Sequence, residues 1–491
     1  MNEGGKDTWK NQSGYIWSML GSAVGFANIL GFSAKAYFHG GGAFIIPFLA
    51  ALLTLGIPLL FLEGIIGQQF QLPLVASYAR IAGTKGRFFG WLAILAVITI
   101  GAFYTVLTGC SVAYTYFTAA NLIPPNTASF FKHDFLHDSG SLTSLGSFVM
   151  PLFFWTALVG IFSWLVMSRD IQSGVERVCS LFLPLLFVLV FVCAAIACFL
   201  PGASIGFYNY LKPDFRVLAN PHLWLDSFGH LFFSLSLGLG IVTGYSRHAD
   251  ATIDIRRSML WVTLGDFIIS FVAGLAIFGC IGYMSTIHNV PFVALVKSES
   301  SFELGFVVFP MILRTFGTLV YSFLGPIFFF SVFIAGVTGV FSIVESIAGN
   351  IEVEFHKTRQ TAVTITIALI VAIATLFCFG NGQHIIGALE KMVTGFNMLI
   401  GGIAEIIVFL LLTKSISNNP IWFSHGRRTK FYYCLRYVSI GILATIFVGA
   451  CIEEYQAGFG YPAAVRWGWF VLASIIAFLL ARNHKELKES R

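Results

Sequence analysis

The amino-acid sequence predicts an all-α membrane protein with twelve transmembrane helices. Of its 491 residues, 57% are hydrophobic and only 11% are charged, whereas a soluble domain carries roughly 25% charged residues. The apolar runs are continuous and close to the ~20 residues that a helix needs to cross the hydrocarbon core. Strands of a membrane β-barrel would alternate in polarity over ~10 residues, so a barrel is excluded.

Twelve apolar segments meet this length criterion, and they are called spans 1 to 12 below. In chain order the predicted spans are about 15–37, 43–68, 88–121, 149–167, 177–200, 222–244, 259–284, 317–349, 361–379, 385–413, 431–452 and 465–481. We expect the residues between spans 7 and 8 to form a folded external loop, because their apolar run is too short to cross.

The distribution of basic residues predicts the orientation in the membrane. With the amino terminus in the cytoplasm, 21 of the 29 lysines and arginines fall on the cytoplasmic side, where basic loop residues accumulate. We therefore expect a multi-pass protein of the inner or plasma membrane with both termini in the cytoplasm. The net charge of +6 is explained by basic loops that face an anionic leaflet, so no nucleic-acid partner is expected.

Two spans contain small and polar residues where an uninterrupted apolar helix would be expected. Span 1 carries the run from Gly21 to Asn28, and span 6 carries the run from Ser234 to Gly240. Unpaired backbone groups are tolerated at this depth only beside a polar cavity or inside the protein. Interrupted helices in corresponding positions of two five-span halves are typical of inverted-repeat transporters. The alternative is that the small residues merely let helices pack closely.

Several short motifs resemble the neurotransmitter:sodium symporter family, particularly its bacterial amino-acid transporters. The motifs are Trp9, Gly21 to Asn28, Gly40 to Phe44, Gly56 to Glu63, Trp224 to Asp226, Phe232 to Ser236, Ala335 to Thr338 and Ala404-Glu405. The resemblance implies a leucine-transporter-like fold, an inverted repeat of five plus five helices with spans 1 and 6 unwound. Residues 1–491 would then form a single domain, with repeats at about 15–200 and 222–413 and two additional helices at 431–481.

The resemblance also implies two sodium sites. The positions that match them are Gly21, Ala23, Val24, Asn28, Ser234, Asp266, Ala335 and Thr338. Asp266 replaces a family Asn, and a buried acid in a membrane is a functional candidate by default. The alternative is an acid that hydroxyls such as Ser270 satisfy without an ion. Gly339 replaces a family Ser, so we expect the second site to be weaker or completed by water.

Chloride-dependent relatives hold the anion at positions that read Phe48, Ser234, Asp266 and Ser270 here. The family Tyr is absent and Asp266 would repel the anion, so chloride-independent transport is expected. His230 replaces a family Gln and could titrate near neutrality. It is either a packing residue or a proton carrier.

The substrate pocket implied by the resemblance has no net charge, which predicts a neutral, mostly apolar amino acid. Its positions are Ser22, Ala23, Gly25, Phe26, Ala27, Ile100, Tyr104, Phe233, Ser234, Ser236, Leu239, Gly339, Ser342 and Ile343. Monoamine transporters have an Asp where Gly25 stands, and the absence of that Asp favours an amino acid as the substrate. Because one methylene is worth only about 1–3 kcal/mol of discrimination, the choice among Leu, Met, Phe and Trp stays open.

Gates are expected on both sides of this pocket. The gate positions are Lys6, Trp9, Lys35, Tyr104, Phe233 and Glu390. Gly31 replaces the outer family Arg, and we expect Lys35, one turn higher, to supply the cation opposite Glu390. On the cytoplasmic side Val353 replaces the family Asp. His248 stands where the family usually has a Tyr that backs this gate. Glu63 either braces the break in span 6 or makes an ordinary polar helix contact.

These features predict a sodium-coupled symporter that imports an amino acid by alternating access, with about two sodium ions and no chloride. The partners expected are the substrate and the bilayer, and a homodimer is one candidate assembly. No enzyme activity is expected, since no nucleophile–base pair or phosphate-binding loop is evident. Two other functions stay open. One is a membrane amino-acid sensor or scaffold that does not transport, and the other is a proton-coupled transporter.

Overall fold

The computed structural model describes residues 7–292, 295, 304–315, 317–412, 423–424 and 427–482. Within these ranges the chain is nearly all helical, apart from one short hairpin of the strands Phe423–Ser424 and Arg427–Arg428. Ten helices are long and apolar enough to cross a membrane. They are Gly42–Phe70, Leu74–Ala119, Met150–Met167, Gln172–Cys198, Ile255–His288, Thr318–Glu354, Arg359–Cys378, Gly382–Val408, Lys430–Ala457 and Tyr461–Arg482.

These ten helices correspond to spans 2–5 and 7–12. Span 1 is a bent pair, Gln12–Ala23 and Ala27–Phe38, whose axes differ in direction by 56°. Span 6 is divided into Pro221–Ser234 and Ile241–Ser246. The two predicted interruptions are therefore breaks in helices, as expected from their small residues.

The helix that contains span 3 begins before the predicted start of that span. Helical structure starts at Leu74, but Gly83 has a φ of +60°, a left-handed conformation that favours glycine. The chain therefore turns at this point, and Leu74–Ala82 forms a separate arm before the span. Span 3 then packs most extensively against span 8, and close glycine contacts such as Gly101 against Ile343 bring the two helices together.

The predicted external loop between spans 7 and 8 contains a short apolar helix, Leu304–Arg314. Gly305 of this helix lies against Leu30 of span 1, and the carbonyl of Val307 accepts a hydrogen bond of 2.9 Å from the hydroxyl of Thr127. Other short helices outside the spans are Thr127–Ser129, Phe130–Phe135, Ala203–Leu211 and Phe215–Ala219.

Candidate functional site

The break in span 1 follows directly from the backbone at Val24. Its ψ of 108° takes the chain out of the helix, and its N–H still bonds to the carbonyl of Leu20. The helix resumes at Ala27. Because an α-helix leaves its last carbonyls without intrahelical partners, the end of Gln12–Ala23 presents backbone oxygens at this depth.

The break in span 6 is a run of left-handed residues. Ser236, Gly238 and Gly240 have positive φ values of 55°, 72° and 68°, which a helix cannot accommodate. The carboxylate of Glu63 on span 2 accepts a hydrogen bond of 2.8 Å from the N–H of Gly238. The prediction that Glu63 braces this break is confirmed.

A small cavity lies where the two breaks meet. It encloses about 30 Å³, enough for water. Its lining comprises Ser22, Ala23, Gly25, Ala27, Ile100, Tyr104, Phe233, Ser234, Ser236, Leu239, Ile241, Gly339, Ser342 and Ile343. All the predicted substrate positions except Phe26 are therefore gathered around one cavity. Ile241 is an addition, and nothing in the sequence distinguishes it from other apolar helix residues.

The predicted first sodium position is a buried polar cluster at the edge of this cavity. The amide NH₂ of Asn28 donates to Oδ1 of Asp266 at 2.6 Å, to the Ser270 hydroxyl at 2.9 Å and to the Ser234 hydroxyl at 3.0 Å. The Ser234 hydroxyl donates to the same carboxylate oxygen at 2.9 Å. Asp266 is completely buried, and its Oδ2 has no hydrogen-bond partner among the residues that the structure describes.

The hydroxyl of Ser270 does not satisfy the Asp266 carboxylate. It donates instead to the backbone carbonyl of Asp266 at 2.9 Å. The hydroxyls of Ser234 and Ser270 therefore leave Oδ2 of Asp266 without a donor. A buried polar atom without a partner costs free energy. This atom is the feature of the cluster that fits a cation.

The residues predicted to form the second sodium site lie where spans 1 and 8 meet. A Cβ built on Gly21 would lie 3.0 Å from Cβ of Thr338, so the two helices touch here. The Thr338 hydroxyl donates to the carbonyls of Ile334 at 2.9 Å and Ala335 at 3.3 Å. The glycine at position 339, where the family has a Ser, has a steric explanation: a Cβ there would come within 2.9 Å of the Tyr104 ring.

His230 lies among three aromatic rings of spans 1 and 2. The ring centroids of Phe32, Phe44 and Phe48 are each 6.1 Å from its own, and its Nε2 has no hydrogen-bond partner within the described part of the chain. The structure therefore shows a packed histidine. Its other predicted role, as a proton carrier, stays a prediction.

Above the small cavity a vestibule of about 400 Å³ is bounded by spans 1, 3, 6 and 10. Tyr104 and Phe233 line both spaces, so they stand between them. Phe26 lines the vestibule. Lys35 and Glu390 also line it, and Lys35 forms an ion pair with Asp226 at 3.1 Å. Among the described residues, no ion pair joins Lys35 to Glu390.

The opposite end of the molecule is closed by an ionic network around Glu345 of span 8, which is completely buried. Its carboxylate is bound by Arg247 at 3.0 Å, by His248 at 2.9 Å and by Arg359 at 3.0 Å. Arg247 also binds Glu352 at 2.9 Å. A vestibule therefore lies on one side of the small cavity, while ionic contacts close the opposite side.

The amino-terminal segment completes this network. The indole N–H of Trp9 donates to the carbonyl of Tyr245 at 2.9 Å, and Asp7 lies 3.9 Å from Arg359. Burial raises the pKa of the Asp7 carboxyl, against the lowering effect of the N–H of Ile171 and of Arg359. Lys6 lies outside the described residues.

Comparison with known proteins identifies the group to which this arrangement belongs. A model of the sodium:neurotransmitter symporter family matches residues 6–126 and 122–485. The chain belongs to this family. An uncharacterized sodium-dependent transporter of Methanocaldococcus jannaschii is 32% identical over 409 residues, which cover 83% of this chain and 82% of that protein. The sodium-dependent dopamine transporter of Bos taurus is 25% identical, over 96% of this chain and 73% of its own.

A solved structure shares the fold of this chain. The crystal structure of MhsT in complex with L-phenylalanine matches with a TM-score of 0.76 at 23% identity, over 91% of this chain and all of that chain. The fold is therefore the leucine-transporter-like one expected from the sequence, and the chain is a multi-pass sodium-dependent transporter.

The residues that seal the end opposite the vestibule were not predicted from the sequence. Glu345, Arg247 and Arg359 were not predicted as gate residues. The available signal was an acid, Glu345, within a long apolar helix, since such residues are rare and usually functional. The family resemblance places the gate acid at position 353, which is Val353 here.

The close approach of Tyr104 to Gly25 makes a first testable prediction. A Cβ at Gly25 would lie 2.2 Å from the Tyr104 hydroxyl, which accepts a hydrogen bond from the N–H of Phe26 at 3.2 Å. Overpacking costs about 1–3 kcal/mol, so Gly25→Ala should weaken substrate binding about 5- to 150-fold. Equilibrium binding of radiolabelled substrate to the purified transporter checks this. Gly229→Ala is the control, because a Cβ there meets nothing within 4 Å.

Proposed function

We propose that this transporter is a sodium-coupled symporter that imports a neutral, mostly apolar amino acid without chloride. The observation that carries the proposal is the buried carboxylate of Asp266, whose Oδ2 has no partner in the cluster with Asn28 and Ser234. A bound Na⁺ would supply both a positive charge beside the Asp266 carboxylate and a partner for its Oδ2, because hard cations prefer oxygen ligands.

The sodium ions would be held by the oxygens of the two breaks. Asn28 and an alkali cation compete for the same oxygens, so sodium binding would require the Asn28 amide to present its oxygen. The carbonyl of Ala23 and the hydroxyl of Ser234 would complete the first site. Carbonyls of Gly21, Val24 and Ala335, with the Thr338 hydroxyl, would hold a second ion.

The substrate would lie between the two breaks with its charged groups on them, and the small cavity would have to widen to admit it. Its carboxylate would meet Gly25, the Tyr104 hydroxyl and the first Na⁺, because the start of a half-helix favours anions. Its ammonium would meet carbonyls of span 6. The side chain would lie among Ile100, Leu239 and Ile343, which offer no charge and therefore suit an apolar group.

The transport cycle follows from the open vestibule and the sealed opposite end. Substrate and Na⁺ enter through the vestibule, Tyr104 and Phe233 close over them, and Lys35 moves toward Glu390. Spans 1, 2, 6 and 7 then rock against spans 3, 4, 8 and 9, and the Glu345 network opens toward the cytoplasm. Each charge that crosses 100 mV supplies about 2.3 kcal/mol, so two Na⁺ could concentrate a neutral zwitterion.

Uptake into sealed proteoliposomes tests the proposal. Radiolabelled Leu, Met, Phe and Trp are each offered with an inward Na⁺ gradient, and at least one should accumulate. Replacement of Na⁺ by K⁺ should abolish accumulation, and replacement of chloride by gluconate at constant Na⁺ should leave it unchanged.

Three outcomes would contradict the proposal. Accumulation driven by a pH gradient without sodium would favour proton coupling. Sodium-dependent binding without any uptake would favour a sensor or scaffold. Chloride stimulation at constant sodium would overturn the predicted chloride independence.

A further inference from the structure

Two acidic side chains meet deep in the molecule, outside the sodium and substrate positions. Glu63 of span 2 and Glu405 of span 10 are each only 1% exposed. Their carboxyl groups lie within hydrogen-bond reach of each other. Tyr78, from the arm before span 3, also faces both. No described residue places a cation in contact with this pair.

The hydrogen bonds of the pair are incomplete. Oε1 of Glu63 accepts from the N–H of Gly238. The N–H of Thr243 also faces the Glu63 carboxylate, but Oε2 of Glu63 and both carboxyl oxygens of Glu405 have no hydrogen-bond partner among the described residues. The pair therefore contains three buried oxygens without a donor, and acceptors alone cannot form a hydrogen bond.

Two ionised carboxylates in contact inside a protein repel each other, and each also loses its hydration. Such pairs commonly hold one proton between them and titrate as a unit. A single proton placed between Glu405 and Glu63 converts the repulsive contact into a charge-assisted hydrogen bond.

We propose that Glu63 and Glu405 form a proton-binding site, in which Glu405 carries the proton and donates it to Oε2 of Glu63. Glu405 is the protonated partner because neither of its oxygens has a donor, so its charge would be uncompensated. Glu63 stays ionised because the Gly238 N–H already stabilises its charge.

The bound proton links three elements at the break in span 6. Glu63 belongs to span 2, Gly238 to the break and Glu405 to span 10. The break also packs directly on span 10, because a Cβ at Gly238 would come within 2.9 Å of the backbone of Gly402 and of Met398. The shared proton therefore ties the break in span 6 to span 10, a helix outside the group of spans that is proposed to rock. The inference is independent of which substrate is carried.

Infrared spectroscopy of the purified full-length protein tests the inference. A carboxylic-acid C=O band should be present at neutral pH and should shift in deuterium oxide. Glu405→Gln and Glu63→Gln should each remove the same band, since either change leaves one carboxylate with an amide donor. Glu453→Gln is the control: its side chain is 49% exposed and pairs with His222, so the band should remain.

A purely structural role would not make one band depend on both acids. The inference is overturned if neither glutamine variant changes the carboxylic-acid region, or if the band is lost when choline is replaced by Na⁺, which would indicate an ion instead of a proton. Thermal unfolding gives a second readout. Glu405→Gln should keep the wild-type midpoint because its amide still donates to Glu63, whereas Glu405→Ala should lower it.

Discussion

Replacement of Glu345 by alanine is expected to unseal the end of the protein opposite the vestibule and to destabilise the protein strongly. Glu345 binds Arg247, His248 and Arg359 at 2.9–3.0 Å. The two arginine side chains are only 8% and 17% exposed. Their charges would lose the acid on which they converge, and removal of one partner from a buried ion pair costs about 3–5 kcal/mol.

Two measurements check this expectation. Thermal unfolding in detergent should show a lowered midpoint. Labelling of a cysteine introduced at Ser22 by a membrane-impermeant reagent from the cytoplasmic side should rise, because the cavity becomes accessible from that side. Substrate import should fall even though no substrate contact is changed.

Glu352→Gln provides a matched control. Glu352 binds the same Arg247 at 2.9 Å, but its side chain is 32% exposed. A partly solvated pair contributes only about 0–1 kcal/mol, so this variant should resemble the wild type. If both variants shift the midpoint and the labelling equally, Glu345 is not the centre of the seal.

The positions of the helix breaks could be predicted from sequence because they depend on local chemistry. Gly238 and Gly240 adopt φ values that other residues rarely tolerate, and Gly25 leaves room for Tyr104. The type and spacing of such residues indicate a helix break in the sequence itself. The family resemblance then implies which residues line the cavity beside the breaks.

The ionic partners could not be predicted in the same way, because they depend on how spans approach in three dimensions. Lys35 does line the vestibule together with Glu390, but its additional ion pair with Asp226 on span 6 was not expected. Glu345 and Arg247 are 98 positions apart in the chain, and nothing local connects them. Ile241 likewise reaches the cavity only because span 6 restarts at that residue.

The second expected result with a large effect concerns Asp266. Asp266→Asn should raise the sodium concentration required for half-maximal substrate binding by about 100-fold or more, since a carboxylate ~4 Å from a cation contributes about 4 kcal/mol at an effective dielectric constant near 20. The asparagine keeps the size of the side chain and can still accept from Asn28 and Ser234, so the fold should be retained. Titration of substrate binding with NaCl at constant ionic strength measures this shift.

Ser270→Ala separates the charge of Asp266 from the polarity of its surroundings. Ser270 accepts from Asn28 and donates to the backbone of Asp266, but among the hydrogen bonds of the described residues it makes none to the carboxylate. Loss of such a bond contributes only about 0.5–1.5 kcal/mol, so sodium dependence should shift by no more than about ten-fold. Equal shifts in the two variants would mean that the cluster acts through polarity alone. An unchanged sodium requirement in Asp266→Asn would remove Asp266 from the sodium site, because a carboxylate that holds an ion cannot lose its charge without weakening that ion's binding.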